Sequence, residues 1–407
     1  MSDQAALSKA RAFYPMMIVP GIVLLLAPAT VSPIMEYFGF RESLGGLLQV
    51  SYFAGGVAGI LMITRLMQRL SVRRIVGYSV LLLSASLAAS AVSPWYPLLL
   101  LFFMVAGFAN GILIAFPGVY VTRVGGSESH RAQNLLYSFF SLGVLSGPLL
   151  ASLIIHDNAP MWRWAFAAPA LLIIPLSIPA MLTSFEPIEG VERLSAVTVR
   201  KALSFNSRLF WGLLVAVLLY IAAEAAVSMW LVRFLEQEYS VGFSSAHWVL
   251  TGLWAGITVG RWLFGAFFRK TDPYRVLIFL SITSALLLLA APLLGSKYAA
   301  IAIYPLVGLS YSAIYPCLIG YIAWFPRDVN SSVFTIFLAA GAAGGACLPY
   351  LVGLVNQFVG RTAGMSLICV PLFGVLASLY WLRDYIKRRP EAGELLLTPT
   401  GEGGGSA

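Results

Sequence analysis

Two apolar segments decide the reading of this chain: LLYIAAEAAVSMWL, residues 218–231, and WAGITVGRWLFGAFF, residues 254–268. Each carries a charge in an apolar setting, Glu224 in the first and Arg261 in the second. Charges at bilayer depth are costly and rare, and they usually face an interior cavity, a substrate path or a proton path. The second segment also repeats an earlier one. Phe53-Ala54-Gly55-Gly56-Val57-Ala58-Gly59 aligns without gaps on Trp254-Ala255-Gly256-Ile257-Thr258-Val259-Gly260, and Arg74-Ile75 then falls on Arg275-Val276. Two similar halves with deep charges in the second read as a transporter.

Composition agrees. Of the 407 residues 59% are hydrophobic and 11% charged, against roughly 25% charge in soluble domains. The mean hydropathy is +0.85. The apolar stretches run about 19 to 28 residues, enough to cross a hydrocarbon core about 30 Å thick at 1.5 Å per helical residue. A membrane barrel would show alternating segments of about ten residues. The cysteines Cys317, Cys347 and Cys369 are odd in number and sit in apolar surroundings without metal-ligand spacing, so they read as small core residues. No metal or cofactor is expected. Ser2 to Arg11 is short and polar, and the apolar run after Phe13 is too long for the core of a cleavable signal.

In order, twelve helices are expected near 13–38, 43–67, 75–93, 96–122, 130–155, 161–184, 208–235, 244–268, 274–294, 298–323, 328–356 and 361–386. The chain thus divides into an N-terminal six-helix bundle (1–184), a polar cytoplasmic linker (185–207), a C-terminal six-helix bundle (208–388) and a disordered cytoplasmic tail (389–407). Lys and Arg set the orientation. Arg41, Arg163, Arg233, Lys297 and Arg361 fall on one side and Arg261 lies within a span; the other twenty of the 26 lysines and arginines share the side of both termini. Both ends are therefore expected in the cytoplasm, in a multi-pass protein of the inner membrane. The net charge of +9 is then a topology signal and not a nucleic-acid footprint.

The repeat extends beyond the second and eighth helices. Gly143-x-x-x-Gly147 in the fifth falls on Gly341-x-x-x-Gly345 in the eleventh, and Phe116-Pro117 in the fourth matches Tyr315-Pro316 in the tenth. Small residues four apart let helices approach closely. Two halves related by an axis along the membrane normal, with a site between them, is the organisation of one large transporter class.

Specific segments sharpen this. Gln133-Asn134-Leu135-Leu136-Tyr137-Ser138-Phe139-Phe140 with Gly147-Pro148, Ala223-Glu224 with Trp230, Gly260-Arg261, and Ile314-Tyr315-Pro316 with Gly344-Gly345 and Leu348-Pro349 carry a resemblance over nearly the whole chain. The chain resembles the major facilitator superfamily, and within it the fucose/galactose/glucose–proton symporters and their relatives. The resemblance implies an all-α membrane fold of twelve transmembrane helices in two pseudo-symmetric bundles. It implies secondary transport by alternating access, with proton symport of a small organic solute, in a monomer embedded in the bilayer. Two departures stand out. The superfamily's loop after the second helix is here Gln68-Arg69-Leu70-Ser71-Val72-Arg73-Arg74, with Gln68 for its acid and Ser71 for its glycine, and the second copy, Arg269-Lys270-Thr271-Asp272, is equally atypical. The symporters' fourth-helix acid aligns near Ile114, so fourth-helix proton coupling is not expected.

Glu224 is the candidate proton-coupling residue. It lies about 22 Å along its helix from Leu209 at 1.5 Å per residue, and Ala222, Ala223, Ala225 and Ala226 give it no counter-charge. Burial disfavours an ionised carboxyl, so a proton gained or lost on exposure to either side would couple solute to gradient. The alternative is a structural acid. Arg261 sits about 12 Å from its cytoplasmic helix end and roughly 10 Å from Glu224 in depth, so a solute or water could bridge them. It is a candidate clamp for an anion or hydroxyl, or else a ligand for helix-end carbonyls. His247, Thr251, Trp254, Thr258 and Arg261 share one helical face, with Trp254 and Thr258 as candidate solute contacts and His247 read as interfacial. Tyr220 and Ser228 share a face with Glu224, as Tyr311 and Tyr315 do with Tyr304. Asn134, Tyr137, Ser138 and Ser141 form another face, and Gln49 is a lone amide in the second helix. Aromatic rings with a few polar groups suit sugar-like or amphipathic ligands.

Gly143-x-x-x-Gly147-Pro148 also resembles the antiporter motif of exporters, so proton-antiport efflux of amphipathic compounds is the second reading. A non-transporting receptor or scaffold on the same fold is the third. No nucleotide-phosphate loop, Ser/His/Asp set or metal cluster is visible in the sequence, so an enzyme is not expected. The solute is not named by the sequence, and sodium coupling stays open beside protons.

Overall fold

The computed structural model describes residues 8–124, 129–156, 158–185, 196–267, 271–326 and 329–387. The tail 389–407, linker residues 186–195 and positions 268–270 lie outside the described residues. The helices are α1 Ser8–Phe38, α2 Glu42–Arg69, α3 Val72–Ala91, α4 Tyr96–Val124, α5 Ser129–Ile155 and α6 Trp162–Leu182. They continue with α7 Ala196–Tyr239, α8 Phe243–Phe267, α9 Pro273–Leu293, α10 Lys297–Trp324, α11 Asn330–Phe358 and α12 Arg361–Lys387. Residues 196–205 of the expected linker are helical and join α7 across a kink at Asn206 (φ −161°), whose Oδ1 accepts from Leu209 N at 2.7 Å and caps the second part.

Proline accounts for three further interruptions. Pro28, Pro316 and Pro371 have no N–H to offer the carbonyl four residues back, and the helix breaks beside that carbonyl at Leu25 in α1, at Ser312–Ala313 in α10 and at Ile368–Cys369 in α12. Pro117 in α4 is instead accommodated in a continuous helix.

Two six-helix halves share one architecture, and glycine fixes how closely their helices approach. In the first half a Cβ on Gly55 of α2 would collide with the Met104 carbonyl of α4, and one on Gly107 with the Tyr52 carbonyl. In the second half Gly256 of α8 meets Pro305 of α10, and Gly308 meets Leu253, in the same way. The α1–α5 contact likewise matches α7–α11. Here the structure corrects the sequence alignment by one helical turn: Gly143 presses on the Ile18 carbonyl and Gly344, not Gly341, presses on the Leu218 carbonyl.

The halves meet along α2–α11, α5–α8 and α1–α7. Contact is tight at the end bearing the α1–α2 and α7–α8 connections, called the far end below. A Cβ on Gly46 of α2 would lie 2.9 Å from the Tyr350 Cα of α11, and one on Gly353 would lie 2.9 Å from the Glu42 carbonyl. Toward the other, basic end the space between the halves is a cavity, whose lining reaches Met67 of α2 and Asn330 of α11.

Candidate functional site

Between the halves lies a cavity of about 1570 Å³. Its walls come from α1, α2, α4 and α5 on one side and α7, α8, α10 and α11 on the other, reaching Met67 and Asn330 near the basic end. Among its lining residues Glu224 and Arg261 are the charged ones.

Glu224 is 8% exposed on the α7 wall. One turn later the Ser228 hydroxyl donates to the Glu224 backbone carbonyl at 2.8 Å, and one turn earlier Tyr220 is fully covered and donates to the Tyr311 carbonyl at 3.1 Å. The Tyr220 hydroxyl also reaches the Glu224 carboxyl. Arg261 acts on Glu224 through space, yet among the described residues no carboxylate comes within the 4.0 Å of an ion pair with it. Its Nε is buried without a hydrogen-bond partner, and so is Trp254 Nε1 two turns away. Thr258, between them, gives its hydroxyl to the Trp254 carbonyl at 2.9 Å.

The expected polar stripe of α8 divides. Trp254, Thr258 and Arg261 line the cavity, whereas Thr251 and His247 lie in the packed far end. His247 is not interfacial: it is fully buried, with Nδ1 2.8 Å from the Phe243 carbonyl and Nε2 2.9 Å from the Ala29 carbonyl of α1. The tyrosine face of α10 divides as well. Tyr315 lines the cavity and stacks on Tyr220 at 6.3 Å between ring centroids. Tyr220 and Tyr311 stand behind the lining, edge to face at 5.4 Å.

The first-half wall is neutral. Gln49 is 2% exposed, lines the cavity, and has no partner for its Oε1. Tyr52 beside it takes a hydrogen bond at 2.6 Å from Asn110 Nδ2, which also reaches the Pro20 carbonyl at 3.2 Å. Tyr137 lines the cavity with its hydroxyl against Gly118, and Ile114, where the resemblance would put an acid, lines it as an apolar group. Asn134 lies on α5, and its side chain falls outside the described residues.

Several lining residues escape the sequence reading. Asn330, Ser332 and Thr335 open α11 and line the cavity; polar residues at a helix start look like caps in a sequence. Behind the lining, Asn110, the hydrogen-bond donor to Tyr52, is detectable as a lone amide in the apolar span of α4.

The far end is held by a polar latch between the halves. Glu42 of α2 accepts from Arg361 of α12 at 3.2 Å (Nε) and 2.9 Å (Nη2), with Arg233 of α7 at 3.9 Å. Arg361 also reaches Glu238 at 3.2 Å. Ser32 of α1 donates to Glu236 of α7 at 2.6 Å, and Ser43 N to Gln357 at 3.2 Å. These residues stand in the sequence only as helix-end charges and polar groups.

With this geometry in view, the comparisons with known proteins agree. Residues 16–323 match the Major Facilitator Superfamily. A Brucella abortus protein named glucose/galactose transporter is 25% identical over 382 residues, covering 88% of this chain and 91% of its own. The crystal structure of a bacterial homologue of the human lysosomal transporter Spinster, inward-facing and unoccupied, superposes with a TM-score of 0.71 at 14% identity, covering 98% of both chains. A crystal structure of the E. coli fucose:proton symporter FucP, in a single-residue variant, does so with 0.66 at 18% identity, over 94% of this chain and 99% of that one. This chain belongs to the major facilitator superfamily. It is a multi-pass inner-membrane transporter and not an enzyme.

Proposed function

We propose that the chain is a proton-coupled symporter of a sugar-like solute, acting as a monomer by alternating access with both termini in the cytoplasm. The carrying observation is the placement of Glu224, a carboxyl on the wall of a cavity between two halves that are latched at the far end. With the basic end cytoplasmic, this arrangement is the inward-facing state. The relative named glucose/galactose transporter and the neighbour titled fucose:proton symporter support the solute class and the proton. Protonation of Glu224 removes a charge from the cavity wall and lowers the cost of occluding the site.

The test is uptake into proteoliposomes under an imposed pH gradient, with a sodium gradient as the control. Glu224→Gln should lose gradient-driven accumulation while retaining solute exchange. Accumulation that survives in that variant, or that follows sodium, overturns the mechanism.

A second reading, antiport efflux of amphipathic compounds, is favoured by the mostly apolar lining, with Phe140, Phe334, Phe337 and Trp262 on the walls. Flux of amphiphiles and not of sugars in the same vesicles would select it. Binding without any flux would select a receptor.

A further inference from the structure

We infer that the solute of this cavity is a polyhydroxy monocarboxylate, a sugar acid, with its carboxylate on Arg261 and its hydroxyls reaching Gln49; this rests on the proton-coupled, sugar-like transport proposed above. Buried polar atoms in folded proteins are nearly always paired, so the unpaired ones on a cavity wall mark where a ligand completes the pairing. Here they sort by half. The α8 wall leaves two donors unmet, Arg261 Nε and Trp254 Nε1, while the α2 wall leaves an acceptor unmet, Gln49 Oε1. A ligand matching both walls carries acceptors at one end and a hydroxyl donor at the other. The planar fork of a guanidinium fits a carboxylate in two parallel hydrogen bonds.

Charge selects the acid over the neutral sugar. With Glu224 protonated, Arg261 is left as the one charge on the lining, and occlusion of the site would take that charge out of water. A monoanion brings the loaded, protonated site to neutrality. When solute and proton have both left, ionised Glu224 offsets Arg261 and the site is neutral again. A neutral sugar moving with a proton would leave the loaded site with one net positive charge at the moment it is occluded. The same balance fixes the stoichiometry of charge: one proton and one monoanion cross together, and no net charge moves.

The experiment uses the full chain in proteoliposomes. Galacturonate, glucuronate and gluconate are compared with galactose, glucose and fucose under an inward proton gradient, with and without a valinomycin-set potassium potential. At least one acid should be taken up tenfold or more faster than every neutral sugar, with a rate unchanged by an inside-negative potential. Arg261→Gln should lose at least tenfold of that acid uptake while keeping its elution profile and melting temperature. If that variant does not fold, the potential test on the unmodified chain decides alone. Neutral-sugar uptake that matches the acids, or acid uptake accelerated by the negative potential, overturns this inference and leaves the symporter reading standing. Flux of neither class overturns both.

Discussion

The two halves duplicate their backbones and divide their chemistry. The glycine contacts that set helix approach recur at one spacing: Gly55 with Met104 and Gly107 with Tyr52 in the first half become Gly256 with Pro305 and Gly308 with Leu253 in the second, every residue shifted by 201. The cavity's polar side chains do not follow. At the same shift the lining residues Gln49 and Tyr52 fall on Leu250 and Leu253, Asn110 behind Tyr52 falls on Tyr311, and Arg261 falls on Ile60. Without a strong hydrophobic drive between helices in lipid, close backbone packing holds each half together. A residue at such a contact has no freedom to change, whereas the walls facing the cavity can differ. One half can then supply neutral hydrogen-bonding groups and the other the charges.

The largest expected effect breaks the shared part. Gly308→Val and Gly55→Val each drive a side chain into a backbone carbonyl on a neighbouring helix, which cannot swing aside as a side chain can. Overpacking of this kind costs about 3 kcal/mol, and both variants should show sharply reduced monodisperse yield and melting temperature in detergent. Gly56→Ala is the control, because its Cβ would meet nothing nearer than the Gly107 carbonyl at 3.8 Å. Its melting temperature should stay near wild type. Equal behaviour of the three would mean that glycine approach is not what the repeat preserves.

The same contrast explains what can be read from the sequence. Glycines are constrained by backbone contact, so the repeat survives as aligned letters and the two-half fold follows. Glu224 and Arg261 are visible because charge in an apolar span is rare. Which neighbour covers a given helix face is not written in that helix, and so Tyr220 and Tyr311 look equivalent to Tyr315 although only Tyr315 reaches the cavity. The latch is hidden for another reason. Glu42 and Arg361 are 319 residues apart and sit at helix ends, where charges are ordinary.

The latch sharpens the comparison by showing where the halves are joined. Glu42 carries the α2–α12 contact, with its side chain 11% exposed against 27% for Arg361. Glu42→Gln leaves Arg233 and Arg361 without their shared carboxylate. For such a partly exposed pair the loss should shift the closed-to-open equilibrium of the far end by about 2 kcal/mol, roughly 30-fold. Spin labels at Val92 and Tyr298, which are 74% and 73% exposed on opposite halves near the far end, read this directly once Cys317, Cys347 and Cys369 are replaced. The variant should add a longer-distance population. An unchanged distribution would mean the far end is held by packing alone.

The smallest effect concerns His247, and it asks whether the far end opens as one surface. Both ring nitrogens face carbonyl oxygens, and a neutral imidazole has one N–H to donate. In the Nε2–H tautomer the ring donates to the Ala29 carbonyl of α1, so His247→Phe removes an α8–α1 hydrogen bond and should weaken closure by about 1 kcal/mol, seen as a smaller longer-distance population with the same labels. The contacts of His247 and Glu42 share no partner, so their effects should add to about 3 kcal/mol in the double variant if opening breaks both in one step. A rigid rocking motion of one half against the other requires that sum. A double variant no more open than Glu42→Gln alone would mean that α1–α8 and α2–α12 part in separate steps, and that the halves flex as they separate.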